Sequence, residues 1–354
     1  MSAVSKVLIY DLDLEQLVAQ LNIWGEPPYR AKQVWEGLYL QLWSKPEEFT
    51  NLSKPLRQKL QQCFSFSSLN EVERFFSTDQ KTTKVLFRLL DGPPIETVLM
   101  RYAERRTVCI STQAGCALGC VFCATGQMGF RRNLSSGEIV EQVLVFARQL
   151  NDEAERPTNV VLMGMGEPFH NYDATMAAID RLGHPDGFNM GARRFTISTV
   201  GLIPAIKRFT AEKRQIGLAI SLHASEDALR TSMLPINRRY PIKQLIEACR
   251  EYVDATGRRI TFEWALIQGV NDSVAEARNL ALLLKGLICH VNVIPLNPTS
   301  GYSGARSTRQ RVSAFRQILE TQGISCTVRV RRGIDIHAGC GQLAGQAEAT
   351  FSAA

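Results

Sequence analysis

Cys116, Cys120 and Cys123 stand in the run Gly115-Cys-Ala-Leu-Gly-Cys-Val-Phe-Cys-Ala-Thr-Gly126, a C-x3-C-x2-C spacing. Thiolates are soft ligands, and three so close together point to one metal centre. A ferredoxin-type run adds a fourth cysteine a few residues on, and none follows here. Three ligands on a cubane cluster leave one iron open, and an open iron binds a small molecule through nitrogen and oxygen. Two plainer readings compete. A structural zinc site wants four tetrahedral nitrogen or sulfur ligands, and no companion C-x2-C or H-x3-H pair exists. The other is incidental burial of small apolar residues.

A second motif, Gly164-Met165-Gly166-Glu167-Pro168, follows the apolar stretch Val160–Met163. Glycines there let backbone approach a ligand closely, and Glu167 offers an anionic acceptor for an ammonium group. Read alone, it is also an ordinary turn. Polar clusters close other apolar stretches: Thr196-Ile-Ser-Thr-Val-Gly201, Ser221-Leu-His-Ala224 and Asn297-Pro298. Each alone suits a satisfied strand end, and together they suit one pocket. His223 alone also suits a core histidine.

Two further cysteines stand apart. Cys109 precedes the triplet by seven residues, and Cys340 sits near the C-terminus in Ala338-Gly-Cys-Gly-Gln-Leu343. Its glycine-flanked neighbourhood offers no core, so a covalent carrier role competes with an incidental thiol. Cys63, Cys249, Cys289 and Cys326 fall at apolar positions and read as packing residues. Arginine doublets recur at 105–106, 131–132, 193–194, 238–239 and 258–259, with the run Arg329-Val-Arg-Arg332 leading to Cys340. Any one suits a solvated face, and their clustering favours a phosphate backbone.

The elements that must position these residues follow from periodicity. Leu14–Leu21, Tyr29–Leu42 and Leu52–Phe64 read as helices, with Pro27-Pro28 at the entry of the second. Residues 71–101 read as short strands turning at Asp79-Gln80 and Asp91-Gly92-Pro93. Beyond residue 104, strands alternate with helices. The strands are Thr107–Ser111, Val160–Met163, Phe195–Thr199, Ile216–Leu222, Ile260–Leu266, Val291–Pro295 and Cys326–Val330. The helices are Gly137–Gln149, Asp173–Leu182, Ile203–Glu212, Ile242–Ala255, Val274–Leu284 and Thr308–Thr321. Ser135-x-x-Glu138 makes a capping box for the first helix. Such alternation predicts an α/β fold, a partial (βα)6 barrel with right-handed crossovers and its site at the C-terminal strand ends. The organisation reads as a small helical/β segment over 1–93, the barrel over 94–334 and a mobile tail over 335–354.

Composition sets bounds. The 354 residues are 45% hydrophobic and 21% charged, an ordinary globular balance, and the net charge of +7 suits a polyanionic partner. Nine cysteines, an odd number with a tight triplet, argue against a secreted disulfide framework. No stretch approaches a membrane span and the N-terminus lacks an apolar signal region, so a soluble, cytoplasmic protein is expected.

The triplet resembles the cluster loop of radical S-adenosylmethionine (SAM) enzymes, and the Gly164–Pro168 segment resembles their motif for the methionyl amine. The ordered set is more specific still. It comprises Tyr29-Arg-Ala-Lys-Gln-Val-Trp35, Ile95-Glu-Thr-Val-Leu99, the triplet, Gly129-Phe130-x-Arg132-Asn133-Leu134, Pro235-Ile-Asn237 and Gly339-Cys-Gly-Gln-Leu343. From about Glu26 to Leu343 the chain resembles the radical SAM dual-specificity 23S rRNA/tRNA adenine-C2 methyltransferase family.

That resemblance implies a [4Fe–4S] cluster on Cys116, Cys120 and Cys123, with SAM on the fourth iron. It implies SAM contacts from Gly166, Glu167, Ser198, Ser221, Leu222, His223 and Asn297. It implies that one SAM methylates Cys340 and that a second yields a deoxyadenosyl radical, which takes a hydrogen atom from that methyl group. The carbon radical then adds to carbon 2 of adenosine, Glu96 accepts the ring proton, and Cys109 resolves the adduct through a transient disulfide with Cys340. The implied partners are 23S rRNA at the peptidyl transferase centre, tRNA at the adenosine 3′ of the anticodon, and an electron donor such as flavodoxin. A monomer is expected, with residues 1–93 as an accessory RNA-binding domain. Two rivals are the antibiotic-resistance branch that methylates carbon 8 and a non-catalytic iron–sulfur RNA-binding protein. The Gly-Glu-Pro motif and helical N-terminus favour carbon 2. The family's proline after Leu99 is missing, and His337-Ala-Gly339 replaces its usual Asp-Ala-Ala.

Overall fold

The computed structural model describes residues 6–330 and 332–343. The N-terminal part holds β1 (Val7–Leu8), α1 (Leu14–Ile23), α2 (Pro28–Tyr39), α3 (Lys54–Cys63) and β2 (Phe64–Ser65), with β1 and β2 paired in parallel. Asp13 caps α1 by accepting from the Gln16 N–H at 2.8 Å, and Pro28 opens α2 where no backbone donor is needed. Cys63 is exposed at the end of α3. Its apolar-position reading was one turn too generous, because α3 ends there and its core face is Leu56 and Leu60.

Next come the antiparallel strands β3 (Leu69–Phe76), β4 (Thr82–Leu89) and β5 (Pro94–Arg101), then β6 (Arg106–Cys109). The short hairpin of β7 (Gln113–Gly115) and β8 (Phe130–Asn133) brackets the cysteine triplet and α4 (Ala124–Gln127). The alternation follows: α5 (Ser136–Asn151), β9 (Asn159–Leu162), α6 (Tyr172–Gly183), β10 (Phe195–Thr199), α7 (Ile203–Glu212) and β11 (Gly217–Ser221). Then come α8 (Asp227–Met233), α9 (Ile242–Thr256), β12 (Ile260–Leu266), α10 (Val274–Leu283), β13 (Cys289–Pro295), α11 (Arg309–Thr321) and β14 (Ser325–Val328).

One sheet runs β14-β13-β12-β11-β10-β9-β6-β5-β4-β3. From β6 to β14 its neighbours are parallel and joined by helical crossovers, which is the expected partial barrel. On the other side of β6, β5, β4 and β3 extend the sheet antiparallel. The expected division at residue 93 falls in the turn between β4 and β5, and Arg88 pairs with Pro94 across it. The two sides of that division share one sheet.

Helix α5 is the beam on which the N-terminal part rests. Ser135 and Glu138 form the expected capping box. Asp11 Oδ1 adds a second acceptor for the helix start, taking the Gly137 N–H at 2.7 Å. Arg148 donates to Leu42 O at 2.9 Å and to Tyr10 Oη at 2.8 Å. Midway, the buried Glu141 carboxylate accepts from Ser67 Oγ at 2.5 Å, Ser68 N at 2.8 Å and Ser68 Oγ at 2.6 Å. Removing a buried acceptor strands its donors. Glu141→Ala should therefore lower the unfolding free energy by about 2 kcal/mol, read as an earlier urea midpoint, whereas Glu141→Gln should lose less.

Candidate active site

The C-terminal ends of the parallel strands open onto one cleft. Cys116, Cys120 and Cys123 line it, together with Gly166, Glu167, Ser198, Ser221, His223, Asn297 and Cys340. The triplet loop is pinned at several points. Cys116 N–H donates to Gly129 O at 3.0 Å, Val121 N–H to Met233 O at 3.1 Å and Ala124 N–H to Gly341 O at 2.7 Å. Burial pushes Cys116 up to about 12, and burial followed by the neighbouring sulfurs pushes Cys120 up as well.

Glu167 is buried at the end of the β9 loop. Its Oε1 accepts the Phe169 N–H and its Oε2 the Val200 N–H, each at 3.0 Å. Burial nevertheless raises its pKa to about 7. Gly166 has φ +97°, and a Cβ there would stand 2.5 Å from Gln113 Cβ, so the turn demands glycine. Ser198 and Ser221 face each other with Oγ atoms 3.4 Å apart. His223 is buried with φ +63°, and its Nδ1 accepts the Ala265 N–H at 2.9 Å. Burial drives its pKa down to about 3, which leaves a neutral ring standing edge-on to Phe122. Leu222 differs from the other expected contacts. It lies behind the cleft wall with its side chain fully buried, its N–H donating to Glu263 O and its carbonyl accepting from Arg230.

A second, smaller cavity adjoins the first. Cys109 and Cys340 both line it, with Tyr102, Met163, Asn297 and Arg329. Cys340, Met163, Asn297 and Arg329 border both spaces. Cys109 is buried, and that burial, reinforced by Cys340, pushes its pKa up to about 12. The segment before residue 344 is packed against the barrel. Asn297 Nδ2 donates to Cys340 O at 3.1 Å, Gln342 Nε2 to Pro298 O at 2.9 Å and Thr125 Oγ1 to Leu343 O at 3.1 Å. Gln342 and Leu343 are buried, so the neighbourhood of Cys340 is a lid over the cleft. A Cβ on Gly339 would stand 2.6 Å from both Asn297 Nδ2 and Gln342 Oε1, so the segment lies close against those side chains. The mobile tail expected over 335–354 falls partly outside the described residues, from 344 onward.

Glu96 lines neither cavity. It is buried on β5 with Lys84 Nζ 2.8 Å from its Oε1, and the same Nζ lies 3.5 Å from His337 O. The arginine doublets divide. Arg106 is committed to Glu155, and Arg132 to Asp91 and Glu138. Arg105, Arg131, Arg193, Arg194, Arg238, Arg239 and Arg259 are exposed, and Arg331 lies outside the described residues. Sequence reasoning missed Met163, Glu263 and Arg329 as lining residues. Met163 and Arg329 directly follow β9 and β14, a position that was the available signal, whereas Glu263 lies in the middle of β12 and carried none.

Family models match two parts of the chain: the radical SAM superfamily over residues 110–281 and the ribosomal RNA large subunit methyltransferase N-terminal domain over residues 7–65. A protein of Myxococcus xanthus named dual-specificity RNA methyltransferase RlmN 1 is 51% identical over 95% of this chain and 93% of its own length. A probable dual-specificity RNA methyltransferase RlmN of Chloroflexus aurantiacus is 49% identical over 97% of this chain and 94% of its own length. The chain belongs to the RlmN family. A crystal structure of a radical SAM methyltransferase from Sphaerobacter thermophilus superposes with TM-score 0.94 at 51% identity, covering 96% of this chain and 99% of that one.

RlmN enzymes belong to the radical SAM superfamily, whose cofactors are a [4Fe–4S] cluster and SAM. The residues present fit both groups. Three thiols on one cleft wall, Cys116 buried and Cys120 and Cys123 half-buried, hold their protons against a charge that burial penalises, and metal coordination deprotonates such thiols outright. Among the described residues no set of three or more His, Cys, Asp or Glu side chains could hold a single metal ion. A cubane asks for something else, one thiolate on each of three irons. Beside the triplet, Glu167 is a buried carboxylate in a glycine-walled recess, which suits an ammonium group.

The raised pKa of Glu167 has a consequence for stability. The folded carboxyl holds its proton more tightly than the unfolded one, whose value is about 4.5. Its contribution is fully present below about 4.5 and is lost as pH rises through about 7. In the ligand-free protein, Glu167→Gln should flatten this part of the pH–stability profile, read by thermal melts across the window.

Proposed function

We propose that this RlmN enzyme methylates carbon 2 of adenosine in 23S rRNA at the peptidyl transferase centre, and in tRNA at the adenosine 3′ of the anticodon. The single observation that supports the reading best is that Cys340 borders both cavities, sharing one with Cys116, Cys120 and Cys123 and the other with Cys109.

The chemistry sets the task. Carbon 2 of adenine lies between two nitrogens and is electron-poor, so it does not displace a methyl group from a sulfonium as a nucleophile. Cys340 does so instead, taking the methyl of one SAM on its sulfur. Cys116, Cys120 and Cys123 would hold the cluster, which with a second SAM would supply a carbon-centred radical able to take a hydrogen atom from that methyl group. Gly166 and Glu167 hold the amino acid end of SAM, while Ser198, Ser221, His223 and Asn297 line the rest of its site. Once the Cys340 methyl carbon has bonded to carbon 2, the ring proton must leave. Glu96 accepts it, and its partner Lys84 Nζ, 2.8 Å away, also lies 3.5 Å from His337 O in the segment before Cys340. Cys109 then attacks the Cys340 sulfur. The Cys340 S–C bond breaks with its electron pair on the carbon, which takes up a proton to become the methyl group. The adduct's unpaired electron returns to the one-electron carrier, the Cys109 thiol proton is lost, and a Cys109–Cys340 disulfide remains beside the freed base.

The exposed arginines supply the phosphate-tracking surface. A one-electron donor of the flavodoxin kind, action as a monomer and a cytoplasmic setting complete the proposal. Among the described residues no helix is long and apolar enough to cross a membrane.

Mass spectrometry of both RNAs after anaerobic reaction should place the new methyl on carbon 2 of one adenosine in each, and a methyl at carbon 8 would overturn the reading. Cys109→Ala protein should accumulate a covalent RNA adduct through Cys340. Normal turnover without adduct would remove Cys109 from the resolving step. RNA affinity should fall roughly a hundredfold or more between about 50 and about 200 mM salt, and a flat dependence would count against the arginine surface.

A further inference from the structure

Arg230, on α8, has no solvent exposure. Its guanidinium donates to Val200 O at 2.6 Å, Asn237 Oδ1 at 2.8 Å, Leu222 O at 3.1 Å and Ser221 O at 3.2 Å. All four acceptors are uncharged. Asp227 acts on it only at longer range, with its Oδ1 engaged by Asn237 Nδ2 at 2.9 Å and the Ile242 N–H at 2.8 Å. A buried cation without a bonded anion is costly, and such a charge is retained where something offsets it. Burial lowers the pKa of Arg230 only to about 10, so it stays protonated at neutral pH.

Geometry ties the same residue to the cluster loop. Val121, next to Cys120, donates its N–H to Met233 O, one turn along α8 from Arg230. Val200 and Ser221, whose carbonyls Arg230 holds, line the cleft with Cys120. Val200 is gripped from both sides, its carbonyl by Arg230 and its N–H by Glu167.

We propose that Arg230 is a positioning residue of the iron–sulfur centre: its hydrogen bonds fix the ends of β10 and β11 in the cleft wall, and its buried charge raises the cluster's reduction potential. The proposal rests on Cys120 being a cluster ligand. A cubane on three thiolates carries a net negative charge that grows on reduction, so a cation held nearby in a low-dielectric wall stabilises the reduced form more than the oxidised one. The step concerned moves one electron from an external one-electron donor to the cluster, with no bond made or broken.

Redox titration of the reconstituted full-length protein with dithionite, followed by electron paramagnetic resonance, tests this. Arg230→Gln should weaken electron uptake at least tenfold, a midpoint about 59 mV more negative. Arg230→Lys, which keeps the charge and loses the fork, should stay within about threefold of the parent protein. An unchanged midpoint in the Gln protein, or an equal fall in both variants, overturns the proposal. If the Gln protein takes up no iron, Arg230→His carries the test. Its midpoint should rise as the imidazole protonates on lowering the pH, and a pH-independent midpoint equal to the parent's overturns it. Cys120→Ala checks the premise separately: full iron content and an unaltered spectrum there would remove Cys120 from the ligand set, whatever Arg230 does.

Discussion

One backbone hydrogen bond holds the arrangement together. The N–H of Ala124, immediately after the third cysteine, donates to Gly341 O at 2.7 Å, immediately after Cys340. Two segments more than two hundred residues apart are thereby set edge to edge. Buried backbone donors and acceptors must be paired, so the loop and the lid each complete the other. Asn297 reinforces the joint from β13's far end through Cys340 O. The consequence is chemical: a thiol from the end of the chain becomes part of the wall of a cleft built by the barrel.

The barrel explains why the other groups arrive at the same place. Parallel strands all end on one rim, where the ends of β10 and β11 present Ser198 and Ser221 and the loops after β9, β11 and β13 deliver Glu167, His223 and Asn297. The rim is also where the backbone departs from regular geometry. Gly166 and His223 both have positive φ, and the loop N–H groups of Phe169 and Val200 converge on Glu167. Strain of this kind persists only where surroundings over-determine it. Here the surroundings include Arg230 and Asn271, whose side chains tie rim carbonyls at Leu222 and His223 into the core.

Much of this was legible from residues close in sequence. Phe195–Thr199, Ile203–Glu212 and Ile260–Leu266 have the strand and helix bounds their periodicity predicts. The capping box at Ser135 and Glu138 was equally plain, because capping is a contact between residues three apart. What escaped is non-local. Nothing in the alternation of residues 71–101 says that β5 pairs with β6, which makes the accessory strands an extension of the barrel sheet. Helix α8 is seven residues long and bears no repeating apolar face, so nothing local in the sequence singles out Arg230. The lid was hidden for the same reason. Glycines around Cys340 signal freedom when read locally, yet Gly339 marks a close approach to Asn297. The placement of Glu96 against Lys84 likewise depends on the register between β4 and β5.

The account turns on Cys340 carrying the methyl group before it reaches RNA. Incubating the reconstituted enzyme with SAM labelled in its methyl group, without RNA, and mapping the label by peptide mass spectrometry tests this directly. The account predicts one labelled methyl on the peptide bearing Cys340, which passes to RNA when RNA and reductant are added. Label that reaches RNA at the full rate with Cys340 never methylated would contradict it.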